Sequence, residues 1–148
     1  MKKAKGWPEV YFCIDLHGTI ISSGKESEDK TDELKFYPYA QEVLQWLSNR
    51  KDIILILWTS TPLRRMVTIW NWLMDNEIHF HYVNENLHAK DTPRSDFSYK
   101  FYFNVLIDDR GGFEPETDWK LIKDELIAIG EWDKENEKKR DKSGSAIL

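Results

Sequence analysis

Asp15, His17 and Thr19 stand at alternate positions where an apolar run gives out, in the stretch Tyr-Phe-Cys-Ile-Asp-Leu-His-Gly-Thr-Ile that spans residues 11–20. Asp and Gly are common wherever a chain turns, so these ten residues alone leave a plain turn and a catalytic carboxylate both open. Two later apolar runs end in polar groups in the same way. Ile53 to Trp58 is followed by Thr59-Ser60, and Phe101 to Ile107 by Asp108-Asp109, with Lys100 just ahead of that last run. Carboxylates gathered from separate runs repel one another unless a cation is shared between them. A hard divalent ion is the natural occupant, since magnesium favours oxygen ligands and is held by one or two carboxylates plus a substrate phosphate. Hydroxyls ahead of a helix N-terminus suit the remaining phosphate oxygens. Asp15, Thr59, Ser60, Lys100, Asp108 and Asp109 are thus the residue types of a phosphoryl-transfer site.

These groups meet only if their runs lie side by side. Val10 to Asp15 and Ile53 to Trp58 are apolar on both faces, the pattern of buried parallel strands. Between them Ala40, Val43, Leu44 and Leu47 recur at helical spacing behind Pro38. A second helix is predicted from the stripe Leu63, Met66, Val67, Trp70, Leu73 and Met74, with Ser60 or Thr61 as cap and Pro62 in its first turn. Ile78 to Val83 and Phe101 to Ile107 read as further strands, and Trp119, Ile122, Leu126 and Ile129 mark a last helix. Strands alternating with helices predict a three-layer α/β sandwich with a mainly parallel, Rossmann-like sheet, whose ligands bind at the carboxyl ends of the strands.

The 148 residues suit one domain, which we place at 1–132, with 133–148 as a charged, flexible tail. The longest unbroken apolar run has six residues, Ile53 to Trp58, far short of a membrane span. The basic start Met-Lys-Lys-Ala-Lys lacks an apolar h-region, so secretion is not expected. The single cysteine, Cys13, has no internal partner and reads as a buried small hydrophobe, which makes a reducing cytoplasm the expected setting. A net charge of −5 disfavours a broad nucleic-acid surface and, with it, a phosphatase for nucleic-acid ends, while leaving room for a small phosphorylated substrate in one pocket.

The ordered set Asp15-Leu-His-Gly-Thr19, Thr59, Lys100 and Asp108-Asp109 resembles the haloacid dehalogenase-like (HAD) superfamily of phosphohydrolases, over about residues 10 to 130. The resemblance implies a magnesium-dependent phosphatase. Asp15 matches the nucleophile that forms a phosphoaspartate, Thr59 the hydroxyl that holds the phosphoryl group, and Lys100 the cation beside it. Asp108 and Asp109 match the acids that bind or orient Mg2+, together with Asp15 and the residue at position 17 through its backbone carbonyl. His17 departs from the pattern Asp-x-Asp-x-Thr, in which a second Asp serves as acid and base. It either takes over that duty or marks a lapsed module that binds phosphate or a partner without turnover. The segment between Asp15 and the first helix and the segment after the second helix are too short for an inserted domain, which implies a minimal-cap member.

Several rivals stay open on the residues alone. Lys90 competes with Lys100, and Ser60 with Thr59. Arg64 and Arg65 read as a solvated helix face that could reach a distal anionic group, and Arg110 as a partner for the acid pair. His79 and His81 alternate with apolar neighbours and are expected to be structural, because no cysteine or carboxylate lies at ligand spacing.

Overall fold

The structure is a computed structural model that describes residues 6, 8–22, 34–98 and 100–132. The expected tail at 133–148 lies outside the described residues, and so does most of Ser22 to Lys35, a polar segment with no apolar stripe that reads from its sequence as a loop or small flap beside Asp15. The ends of that flap are tied together, since the Ser22 N–H donates to the Lys35 carbonyl at 2.9 Å.

Four strands form one sheet in the order β3-β2-β1-β4: β1 (Val10–Asp15), β2 (Ile53–Trp58), β3 (Tyr82–Val83) and β4 (Val105–Ile107). All three pairings are parallel. The register sets Val10 against Ile53 and, at the other end, Asp15 against Trp58. The helices are α1 (Ala40–Ser48), α2 (Leu63–Asp75) and α3 (Asp118–Ala128). Their buried residues share one core with Ile14, Leu55, Leu57 and Ile107. The opposite face of β1 meets the connection before β4, where the Tyr11 ring lies 5.1 Å from Tyr102 and 6.4 Å from His88. This is the parallel α/β, Rossmann-like sandwich expected from the alternating pattern.

Two expected strands are shorter than their apolar runs, for one shared reason. Along Ile78 to Val83 the alternation is real, with Ile78 and Phe80 buried, but only Tyr82 and Val83 join the ladder. The Leu55 N–H donates at 3.1 Å to Nδ1 of His81, so a side chain takes the place of the next backbone rung. Similarly, the Tyr11 N–H donates to Oδ1 of Asn104 at 2.8 Å, and β4 starts only at Val105.

Helix α2 is rotated relative to its expected stripe. Met66, Ile69 and Leu73 are its buried residues, whereas Leu63 and Val67 are 83% and 63% exposed. Trp70 is half-buried and Met74 exposed. The sequence carries apolar residues on more than one face, so the period alone underdetermined which stripe packs. His79 and His81 alternate with buried neighbours as expected, and the His79 ring sits 3.0 Å from the Met74 sulfur.

Candidate functional site

Asp15 is the last residue of β1, and Asp108 directly follows β4, its parallel neighbour. Both carboxylates therefore leave the sheet at the same end. Asp109 opens a short 3₁₀ turn, Asp109–Gly111, which folds it back toward the same point. One oxygen from each of Asp15, Asp108 and Asp109 lies within 4.8 Å of the others. Oxygens of one octahedral magnesium shell lie at most about 4.2 Å apart, twice an Mg–O bond, so the three carboxylates would close in by up to roughly half an ångström to share one hard divalent cation.

The loop after β1 is built around Thr19. The Ile20 and Ile21 N–H groups both donate to the Leu16 carbonyl, closing a tight turn. That turn buries Thr19 completely and aims its hydroxyl at the acids. Thr19 Oγ1 donates to Asp15 Oδ2 at 3.2 Å and accepts from the Asp109 N–H at 3.0 Å. From α3, the Trp119 indole N–H donates to the Thr19 carbonyl at 2.8 Å and fixes the loop from beneath. Thr19 thus joins two of the three acids.

Burial pushes the Asp15 carboxyl above the ordinary carboxylate range, opposed by the Leu16 N–H and the Thr19 hydroxyl and reinforced by the charges of Asp108 and Asp109. A cation among these groups would reverse the sign of that pressure. Beneath Asp15, burial and the nearby acids push the Cys13 thiol up to about 12, so this buried cysteine is an inert hydrophobe.

A cavity of about 460 Å3 opens over the acids, and Asp15, His17, Thr59, Ser60, Asp108 and Asp109 all line it. His17 is half-buried and forms an isolated bridge with Ile21. The Thr59 hydroxyl accepts from the Thr61 N–H at 3.1 Å and lies 2.9 Å from Thr61 Oγ1, while Ser60 is exposed at the head of α2. Lys100 and Lys90 are exposed, and neither lines the cavity. Arg110 does, as the only lysine or arginine among the described residues that line it. Its backbone N–H donates to Asp108 Oδ1 at 2.9 Å. Arg64 is exposed and Arg65 half-buried, both outside the cavity wall.

Two further residues complete the wall. Asn84 accepts from the Thr59 N–H at 2.8 Å and donates to the Thr59 carbonyl at 2.7 Å, which fixes the backbone beside the site. Its φ of 54° is one that asparagine tolerates better than most residues. Trp58, the register partner of Asp15, is the other. Neither carried a signal in its local sequence, because Asn84 opens a polar stretch and Trp58 closes an apolar one.

No family model matches the chain, and no curated protein matches it. The chain is similar to the solved structure of a conserved protein coded by a locus of Bacteroides thetaiotaomicron, at 26% identity and a TM-score of 0.56, over 82% of this chain and 92% of that one.

Proposed function

We propose that the protein is a magnesium-dependent phosphohydrolase of the HAD-like kind, which hydrolyses a small phosphomonoester through a phosphoaspartate on Asp15. The observation that carries this reading is the meeting of Asp15, Asp108 and Asp109 within 4.8 Å at the carboxyl ends of adjacent parallel strands. Bound among these three carboxylates and the carbonyl of His17, magnesium would offset their repulsion and the charge on the phosphoryl oxygens. An Asp15 oxygen attacks phosphorus, the bond to the ester oxygen breaks, and the leaving group departs with that electron pair. Water then attacks the phosphoaspartate, releasing inorganic phosphate and restoring the carboxylate.

His17 lines the same wall and supplies the proton to the leaving oxygen, then takes one from the attacking water. Ser60 and Thr59, at the head of α2, hold phosphoryl oxygens. Arg110 steadies their charge in the role expected of Lys100, because Arg110 lines the cavity and Lys100 does not. A small phosphorylated substrate in a reducing cytoplasm completes the reading, and the net charge of −5 keeps nucleic-acid ends disfavoured. Among the described residues no helix is long and apolar enough to cross a membrane.

Hydrolysis of p-nitrophenyl phosphate, with and without magnesium, tests the proposal. Turnover is expected only with the metal, is abolished by Asp15→Asn, and falls on the order of 10²–10⁴-fold in His17→Ala. Arg110→Ala is expected to cost more activity than Lys100→Ala. Undiminished hydrolysis by Asp15→Asn would sink the assignment. The competing reading, a binding module without turnover, is favoured by His17 in place of the second Asp of the family it resembles. It predicts no effect of His17→Ala and new activity in His17→Asp.

A further inference from the structure

From the placement of Trp58 we infer that the substrate is an aryl phosphomonoester, whose ring stacks on the Trp58 indole while its phosphoryl group faces Asp15. This inference deepens the phosphohydrolase reading and rests on it. Five of the six residues of β2 are buried, but Trp58 is 39% exposed and lines the cavity. It is the only large apolar side chain among the described residues of that wall, set among carboxylates, hydroxyls, an amide and a guanidinium. An indole that is partly open in a polar cleft, with Phe101 as its ring neighbour among the described residues, offers an aromatic surface to a ligand.

The sheet fixes where the platform stands. Asp15 and Trp58 are register partners on adjacent parallel strands, so their side chains leave the same face about 4.8 Å apart at the backbone. Phe101, from the connection before β4, packs at 4.7 Å between ring centroids and 49° between planes, which braces the indole from one side. A single strand spacing separates the two backbones. A ring carried directly on the ester oxygen is the shortest substrate that sets an aromatic face next to the phosphoryl group. At about 460 Å3 the cavity lies in the range of roughly 300–1,000 Å3 that accommodates organic ligands, with room beyond a phosphate and a cation. In the reaction the bond between phosphorus and the aryl oxygen breaks as the Asp15 oxygen bonds to phosphorus, and the aryl oxygen keeps the electron pair, takes the proton from His17 and leaves as the phenol.

Calorimetric titration with magnesium and a phosphonate, whose P–C bond resists cleavage, separates this inference from the reading beneath it. Phenylphosphonate is expected to bind about tenfold more tightly than methylphosphonate. Trp58→Leu should bring that ratio close to one, and Trp58→Phe should keep most of it. Should the leucine variant fail to fold, Phe101→Leu, which removes the brace behind the indole, is expected to lower the ratio in its place. Equal binding of the two phosphonates, or a ratio indifferent to these changes, overturns the aryl assignment and leaves the phosphohydrolase standing. Failure of both phosphonates to bind with magnesium overturns both. In kinetics, a higher kcat/KM for adenosine 5′-monophosphate than for phenyl phosphate overturns the short reach and hence the inference.

Discussion

Gly18 holds a φ of 81°, and a Cβ added there would lie 2.8 Å from Asp109 Oδ2. The first demands glycine, because other residues avoid that conformation, whereas the second would be relieved by the Asp109 carboxylate swinging aside. Gly18→Ala is therefore expected to cost on the order of 1–3 kcal/mol in urea unfolding and to displace Asp109. The magnesium-induced rise in Tm should shrink with it. An alanine variant whose magnesium response matches the wild type would show that Asp109 does not serve the metal. Beside it, Thr19 is a hub that no local pattern could reveal. The motif Asp15-Leu-His-Gly-Thr19 is plain in the sequence, but the hydroxyl's second partner, the Asp109 N–H, arrives from 90 residues away. For the same reason the acids were legible as strand ends, whereas Arg110 as the lining cation was not: which positive group reaches the cavity depends on the 3₁₀ turn that carries it.

Three polar side chains define where the sheet elements stop. His81 and Asn104 close the ladders at the end away from the site, and Asn84 closes the β2–β3 pairing beside it by bonding both backbone groups of Thr59. Asn84→Ala would leave that N–H and carbonyl without their partner and place alanine at a φ of 54°. The expected cost is about 1–3 kcal/mol in urea unfolding, accompanied by weaker phosphate binding as Thr59 and Ser60 lose their anchor. Lost stability with intact phosphate affinity would confine Asn84 to a structural role. Existence and order of these elements could be read from apolar runs, since burial in a parallel sheet demands them. Their lengths could not, because a histidine or asparagine next to an apolar run announces nothing until its amide or imidazole finds the adjacent strand. The rotation of α2 has the same origin: Leu63 and Val67 fit the period as well as Ile69, and only the sheet beneath decides which residues are buried.

At the scale of the whole molecule, the fold works against its own site when no metal is bound. The sheet delivers Asp15, Asp108 and Asp109 to one end, and Trp119 of α3 holds the Thr19 loop that binds Asp15 and the Asp109 backbone, which keeps the acids close despite their repulsion. Asp15 shows it in part, because burial first, and the charges of Asp108 and Asp109 after it, raise its folded pKa above the value of about 3.9 of an unfolded aspartate. A raised carboxyl binds its proton more tightly in the folded state. Its contribution to stability is thus fully present below the unfolded value and is lost as pH rises through the folded one. Other carboxylates titrate in the same window, so the informative quantity is the difference between wild type and Asp15→Asn. In buffer with chelator, that difference should grow with pH in favour of the variant and reach about 0.5–2 kcal/mol near neutrality, the usual gain when a strained functional group is removed. The asparagine can still accept from the Thr19 hydroxyl, so the bond to the loop survives the substitution. Added magnesium should reverse the order, stabilising the wild type by mass action and the variant much less. Urea unfolding from pH 4 to 7.5, with chelator and then with saturating magnesium, measures both. If Asp15→Asn were less stable than wild type throughout the chelator series, the three acids would not be in the unfavourable contact that the geometry describes, and the case for a cation between them would fall with it.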